Sequence, residues 1–162
     1  MASIVAKTVI LDTSADWESW LYVIKTMSIN DERDTWEFID LALPQEPRLP
    51  KRPTMPEATD LGKQSIADLD VDERELFKLM YQQYREVLTQ VTKTLETITR
   101  IRNFIVSTVS AKNIVYIKKT STVYQMLVAL KKRLAPTDDA KKIQLANQYN
   151  KLKRFQKNEP IE

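Results

Sequence analysis

Apolar residues recur at seven-residue intervals through the middle of this sequence. Such a repeat is typical of a helix that packs along one seam in a coiled coil or a helical bundle. Asp70 and Glu73 have capping-box spacing at its start, whereas the threonines between Thr89 and Thr108 lower its intrinsic helicity. The pattern predicts one long helix over 70–110, either held by packing through its threonine-rich part or broken near there. The seam positions are Phe77, Tyr84, Val91, Ile98 and Ile105 and, four residues after each, Tyr81, Leu88, Leu95, Arg102 and Val109, with Arg102 as the polar exception.

The residue types that are missing limit both the fold and the chemistry. The chain of 162 residues has a single glycine, Gly62, and no cysteine or histidine. One glycine disfavours a fold with many tight hairpins and excludes glycine-rich phosphate-binding loops. The lack of Cys and His excludes thiolate catalysis, His-based triads and Cys/His zinc sites. We therefore expect an all-α protein that is not an enzyme and that has no catalytic residue, no cofactor and no small-molecule substrate.

Four carboxylates cluster just before and within the start of the long helix. Asp68, Asp70, Asp72 and Glu73 are close enough in sequence to hold a divalent ion. Their spacing lacks the glycine turn and the twelfth-position glutamate of a calcium loop. Acidic residues are also favoured in the first turn of a helix by its dipole. We interpret these residues as helix-start acids and predict no metal site.

Two helices are predicted before the long one, and both carry tryptophan. An extended segment over 1–12, rich in β-branched residues, precedes them. The first helix places Trp17 and Trp20 on one apolar stripe, and a shorter second helix carries Trp36. Aromatic side chains at helical spacing are more often core residues than platforms that stack bases. We therefore expect all three tryptophans in the core.

Prolines occupy every third position in a connector predicted over 41–66. Because polyproline II has three residues per turn, the five rings fall on one edge of an extended rod. Helix is excluded, since each ring removes a backbone donor and restricts the residue before it. We interpret the segment as a stiff connector along the domain surface; a docking ligand for polyproline-binding domains is the alternative. The prolines are Pro44, Pro47, Pro50, Pro53 and Pro56.

The C-terminal part is strongly basic, with twelve Lys/Arg against two Asp/Glu over 112–157. Thr120, Ser121 or Thr122 can cap one helix and Thr137 caps the next after a short turn, which gives a basic helical hairpin over 120–157. Cations gathered at one end of this hairpin would bind phosphate backbones without reading sequence; solvation of helix faces is the alternative. The candidate nucleic-acid-binding residues are Lys131, Lys132, Arg133, Lys141, Lys142, Lys151, Lys153 and Arg154.

The predicted fold is a single all-α domain over 1–162. It is a bundle of about five or six helices with an extended N-terminal segment and the proline-rich connector. The last helix carries an apolar residue at every third position from Ala140 to Phe155.

No apolar run approaches the length of a membrane span and no signal sequence is visible, so we expect no membrane partner and a cytoplasmic location.

Several segments carry a family resemblance. In the C-terminal half they are 120–124, 130–134 and 140–145, followed by Leu152-Lys153. They form an aromatic-containing helix that ends in a Leu-Lys motif, a short turn and a basic helix, and they resemble the Gag polypeptide of copia-type LTR retrotransposons. Trp20 and the Trp36-Glu37-Phe38-Ile39 element are similar to the early tryptophan helices of that family. The connector and the long acid-started helix are similar to Gag-like proteins of filamentous fungi, so the resemblance extends over nearly the whole chain.

The resemblance implies a capsid domain that self-assembles into virus-like particles around element RNA. It implies copies of the chain as partners, with RNA as a further partner of the basic C-terminal helices. The sequence has no Cys-x-x-Cys-x-x-x-x-His-x-x-x-x-Cys knuckle, and it stops at 159–162, where a further helix would begin. We therefore expect a fragment or a truncated form of Gag. The alternatives are a nucleic-acid-binding module or a polyproline-ligand adaptor derived from Gag.

Overall fold

The computed structural model describes residues 8–29 and 34–157, and within these ranges the chain is helical and has no β-strand. The predicted all-α bundle is confirmed. The second predicted helix is a short 3₁₀ helix around Trp36, and residues 1–7 of the predicted extended segment lie outside the described ranges. The α-helices are α1 (Trp17–Ile29), α2 (Val71–Thr108), α3 (Val123–Leu134) and α4 (Asp138–Lys157), and 3₁₀ helices cover Ser14–Asp16, Thr35–Phe38, Ala58–Leu61, Ile66–Asp68 and Ile114–Tyr116.

The longest helix, α2, begins at the predicted capping box. Asp70 Oδ1 accepts a hydrogen bond from Glu73 N at 2.8 Å, and Glu73 Oε2 accepts one from Asp70 N at 3.0 Å. These bonds satisfy two backbone donors at the helix start. The helix then continues for 38 residues, about 57 Å at 1.5 Å per residue. It does not break between Thr89 and Thr108, so packing compensates for the weak intrinsic helicity of that part.

The core lies on the second half of α2. The buried face includes Thr94, Thr97, Ile101 and Thr108, which follow one another at helical spacing. Ile101 is fully buried although it is not part of the seven-residue series, whereas the series member Ile98 is buried as expected. The largest cluster of buried apolar side chains joins this face to α1 and α3. Its members are Leu11, Trp17, Trp20, Ile24, Ile39, Ile98, Ile101, Ile105, Val109, Ile117, Val123, Met126, Leu127, Leu130 and Leu134.

A buried hydrogen bond joins α1 to the end of α2. The indole Nε1 of Trp20 donates to Thr108 Oγ1 at 2.8 Å, and Thr108 Oγ1 donates to the carbonyl oxygen of Phe104 at 2.7 Å. Trp20 is fully buried, so its N–H has no access to water. A buried indole needs such a partner, and Thr108 therefore fixes the position of α1 along α2.

The described part of the N-terminal segment pairs with the exit from α2. Leu11 N donates to Thr108 O at 2.8 Å, and Ser110 N donates to Leu11 O at 3.0 Å. The buried side chain of Asn113 adds a bond from Nδ2 to Asp12 O at 2.9 Å. At the surface, Lys112 Nζ forms an ion pair with Asp12 Oδ1 at 3.1 Å, which joins the same two segments.

The first half of α2, residues 71–90, contributes no buried residue, and we call it the α2 arm. One of its faces carries half-buried aromatic side chains such as Phe77 and Tyr84, and another face carries Leu76 and Leu79, which are 48% and 62% exposed. The α2 arm therefore extends beyond the core with apolar side chains on two of its faces.

The proline-rich connector follows α2 in the opposite direction. Glu46 accepts hydrogen bonds from Thr122 Oγ1 and Gln125 Nε2 at the start of α3, whereas Lys63 Nζ lies 3.8 Å from Glu73 Oε1 at the start of α2. The rings of Pro47, Pro50, Pro53 and Pro56 are half-buried, and the charged side chains of Arg48, Lys51 and Arg52 are exposed. Four of the five proline rings are thus partly covered by the protein, whereas the ring of Pro44 is exposed.

We predict that Thr108→Val lowers the free energy of unfolding by about 1–3 kcal/mol, because the buried N–H of Trp20 loses its acceptor. In a Trp20→Phe background the same substitution should cost clearly less, since no donor is left to satisfy. Urea unfolding of the four proteins in this cycle measures the difference. An equal cost of Thr108→Val in both backgrounds would contradict the assigned hydrogen bond.

The Asp12 ion pair predicts a pH-dependent stability. The ammonium of Lys112, with a further contribution from Ser110, holds the pKa of the Asp12 carboxyl below its usual value. A lowered folded-state pKa stabilises the fold above the unfolded pKa, and this contribution is lost as the pH falls through the folded one. Asp12→Asn should therefore unfold at lower urea than the unmodified chain at about pH 6, with the difference shrinking toward about pH 3. A difference independent of pH would argue against the ion pair.

Candidate interaction surface at the basic end

The last two helices are joined by a short link, residues 135–137. Ala135 N donates to Lys131 O at 3.0 Å where α3 ends, and Thr137 Oγ1 accepts from Ala140 N at 3.2 Å where α4 begins. The two helices are therefore consecutive, as the predicted hairpin requires. Their burial is nevertheless different, because α3 buries its apolar face and the side chains of α4 are almost all exposed. The buried residues of α3 are Val123, Met126, Leu127, Leu130 and Leu134.

Helix α4 turns polar side chains toward the rest of the protein. Lys141 Nζ lies 3.2 Å from Glu18 Oε1 on α1. Ala15, just before α1, lines a surface groove together with one side of α4. The α4 residues that line this groove are Gln144, Asn147, Gln148 and Lys151. An exposed ion pair therefore joins α4 to α1, and amide side chains of α4 line the groove beside the start of α1.

Four apolar side chains of α4 face solvent. Leu145, Tyr149 and Leu152 are between 58% and 66% exposed, and Ile143 is 61% exposed. Leu145, Tyr149 and Leu152 follow one another at i, i+4 and i+7, which places them on one helix face; we call them the α4 seam. The predicted series at steps of three does not form one face, because each step of three falls about 60° short of a full turn at 3.6 residues per turn.

The predicted basic residues lie on both sides of the link, and they differ in whether their charged groups already have a partner. The guanidinium of Arg133 lies over the ring of Tyr116, 5.2 Å from its centroid, and Lys141 pairs with Glu18. Lys131, Lys132 and Lys142 are exposed and have no carboxylate within 4.0 Å in the described part of the chain. These three lysines are the cations available to an anionic partner near the link.

The remaining predicted cations lie farther along α4 and do not join one patch. Lys151 lines the groove beside Ala15, on the side of α4 that faces α1. Lys153 Nζ lies 4.7 Å from the centroid of the Tyr149 ring, which places it beside the α4 seam. Arg154 is exposed. The basic residues of α4 therefore surround the helix, and part of them border its apolar face.

Sequence reasoning missed two cations, Lys118 and Lys119. Both are exposed in the turn that follows the 3₁₀ helix Ile114–Tyr116. Because Arg133 stacks on Tyr116, this turn lies near the end of α3 and adds positive charge there. The available sequence signal was the Lys-Lys pair, but nothing in its spacing indicated that the turn packs against α3.

The tryptophans predicted for the core are placed in or beside it. Trp17 and Trp20 are buried, with ring centroids 5.8 Å apart. Trp36 is half-buried and packs against the core, and Lys25 Nζ lies 5.2 Å from the centroid of its ring. The two indoles of α1 therefore pack in the core and are not available to stack on bases.

A groove of about 210 Å³ lies between the connector, α2 and α3. Leu49, Leu95 and Tyr124 are among its apolar walls. Its charged groups are already engaged: Glu46 accepts from the start of α3, and Arg102 Nη1 donates to Ser121 O at 3.1 Å. Glu46 thus joins the connector to the start of α3, and Arg102 joins α2 to the segment just before α3.

The predicted acidic cluster is used for helix capping. Asp70 and Glu73 form the capping box of α2, and Glu73 also pairs with Lys63. In the described ranges, no group of three or more His, Cys, Asp or Glu side chains is placed to hold a metal ion. None of the helices in those ranges is both long and apolar enough to cross a membrane.

Comparison with known proteins gives no relative: no protein-family model, no curated protein and no solved structure matches the chain. The function must therefore be argued from the surfaces described above, and the α4 seam with its bordering cations is the most distinctive of them.

Proposed function

We propose that this chain is a structural protein that associates with copies of itself, as a Gag capsid domain does. The observation that carries the proposal is the solvent-facing α4 seam of Leu145, Tyr149 and Leu152. Contiguous apolar side chains that a monomer leaves exposed are typical of protein–protein contact sites. The resemblance to copia-type Gag supports the same class of function.

The energetics of α4 favour a partner. An isolated helix of its length is only marginally stable in water, and most helical stability in proteins comes from burial of an apolar face. In α4 the side that faces α1 is polar, so the face with most to gain from burial is still in contact with water. Burying one leucine side chain contributes about 1.5–3 kcal/mol. Contacts of this size are weak singly, but an assembly in which each copy makes several of them is stable.

The proposal is for a non-enzymatic role. Capsid assembly requires repeated surfaces rather than reactive groups, which agrees with a sequence that lacks His and Cys. Asp70 and Glu73 at the start of α2 and the charged groups of the connector groove have structural partners. In a complete assembly, virus-like particles would enclose RNA, with the basic end of the chain turned toward it.

We predict that the unmodified chain self-associates as its concentration rises and that Leu145→Gln combined with Leu152→Gln weakens this association by at least about tenfold, because the α4 seam is removed. Sedimentation velocity over a concentration series measures the effect, and electron microscopy tests for particles.

The matched control is Val106→Gln combined with Val115→Gln, since these two valines are 50% and 60% exposed and belong to other helices than α4. This control should associate like the unmodified chain. A chain that stays monomeric at every concentration and salt tested would refute the proposal.

A second candidate function, binding of RNA, is favoured by the lysines near the link. Lys131, Lys132 and Lys142 are exposed and lack a carboxylate partner in the described ranges, and Lys118 and Lys119 add charge beside them. Unpaired cations in such a group can neutralise phosphates and release condensed counterions. This mode of binding does not depend on base sequence.

For this candidate, we predict that replacing Lys131, Lys132 and Lys142 by Ala lowers the slope of log affinity against log salt concentration for single-stranded RNA by about 2. The measurement is a fluorescence titration at several salt concentrations. The matched control replaces Arg48, Lys51 and Arg52, three exposed cations of the connector, by Ala. An equal loss in the two triple variants, or an affinity that ignores salt, would exclude this patch as the RNA site.

A further inference from the structure

A second apolar stripe, on the α2 arm, is left exposed by the part of the chain that the structure describes. Leu76, Leu79 and Val87 are 48%, 62% and 37% exposed, and Gln83 between them is also exposed. These four residues follow one another at steps of three and four, so they lie on one face of the helix. We call them the arm stripe.

The arm stripe is the continuation of the face that packs in the core. Further steps of four and three lead from Gln90 to Thr94, Thr97 and Ile101, and the last three of these are buried by the bundle. One face of α2 is therefore covered along its second half and bare along its first. The proline-rich connector does not cover it, since the half-buried residues of the arm lie on the neighbouring face with Phe77 and Tyr84.

We infer that the arm stripe is the docking site for the α4 seam of a second copy of this chain. The inference rests on the proposed self-association and names the two surfaces that meet. Both surfaces are single helix faces with leucines at helical spacing, so one helix can lie along the other. In this contact α4 of one copy continues the packing that the bundle provides along the rest of α2.

The charges of the two surfaces are complementary. Over 68–86 the sequence has six Asp/Glu against three Lys/Arg, whereas α4 has six Lys/Arg against two Asp/Glu. Asp72 lies four residues before Leu76 and Glu75 four before Leu79, which places both acids beside the arm stripe. Glu75 also pairs with Lys78 on the same helix at 3.7 Å, and both side chains are exposed. On α4, Lys153 lies beside Tyr149 in the α4 seam. Pairing of two α4 helices would instead bring like charges together, which opposes a contact between identical surfaces.

The positions of the two surfaces exclude docking within one molecule. The start of α1, where Glu18 holds Lys141, lies beside the C-terminal end of α2, because Trp20 bonds Thr108 there. From Thr108 to Val87 is about 30 Å along the helix axis. Each copy thus offers one surface at each end of α2, and a contact between unlike surfaces propagates into rings or open filaments.

The test uses two double variants of the full chain. The arm variant carries Leu76→Gln with Leu79→Gln and keeps the α4 seam; the seam variant carries Leu145→Gln with Leu152→Gln and keeps the arm stripe. All four leucines are exposed in the monomer, so each variant should keep the circular dichroism spectrum of the unmodified chain. Each variant alone should associate at least about tenfold more weakly than the unmodified chain.

Mixing the two variants gives the decisive measurement by sedimentation velocity. An equimolar mixture should form a one-to-one dimer that does not grow, because one intact seam meets one intact arm and the other two surfaces are disabled. Rising salt should weaken this dimer, since part of the attraction is between charges.

The outcomes separate this inference from the proposed function. If the unmodified chain associates and the arm variant associates equally well, the arm stripe is not the docking site, although self-association stands. If both variants are defective but their mixture stays monomeric, the seam and the arm do not meet each other. If the unmodified chain is monomeric throughout, the proposed function and this inference both fail.

Discussion

The packing of a short helix on the end of a much longer one determines the rest of this structure. The buried bond from Trp20 to Thr108 fixes α1 against the C-terminal end of α2. Because α1 has 13 residues and α2 has 38, the bundle covers only part of the longer helix. The core is therefore concentrated at one end, and the α2 arm is left to extend from it.

The proline-rich connector makes this asymmetry possible. A chain leaving the bundle must return to the start of α2 over a distance set by the length of the arm. A segment with a proline at every third residue is extended and stiff, and it crosses this distance without competing to form helix. Its rings at Pro50 and Pro53 are half-buried, and Pro50 borders the same groove as Gln90 and Val91 at the end of the arm. The charged edge of the connector is thus in contact with solvent, and the face of the arm that carries Leu76 and Leu79 stays uncovered.

The sequence was informative where one local rule determines the structure. The spacing of Asp70 and Glu73 identified a helix start, and the proline repeat excluded helix over 44–56. The rest of the connector contains the 3₁₀ helix Ala58–Leu61. The core face of α2 was harder to predict, because threonine is found both at surfaces and in cores. Thr108 is buried because it packs against and bonds Trp20, a tertiary contact that the local sequence does not show. The exposure of the α4 seam was not predictable for a related reason: an amphipathic pattern indicates that a face is buried somewhere, but it does not say against which molecule.

An apolar face that the described part of the molecule leaves exposed is relevant to the proposed function. In a monomeric bundle, burial of an apolar face and folding are the same event, and α3 is an example of it. In α4 burial and folding are separated, because the helix is joined to α1 through the ion pair of Lys141 while its apolar face remains in water. In the proposed self-association, the free energy of burying that face is released when copies meet rather than when the chain folds. The same proposal uses the uncovered helix face at the other end of α2 as the partner surface, so that copies add in one direction.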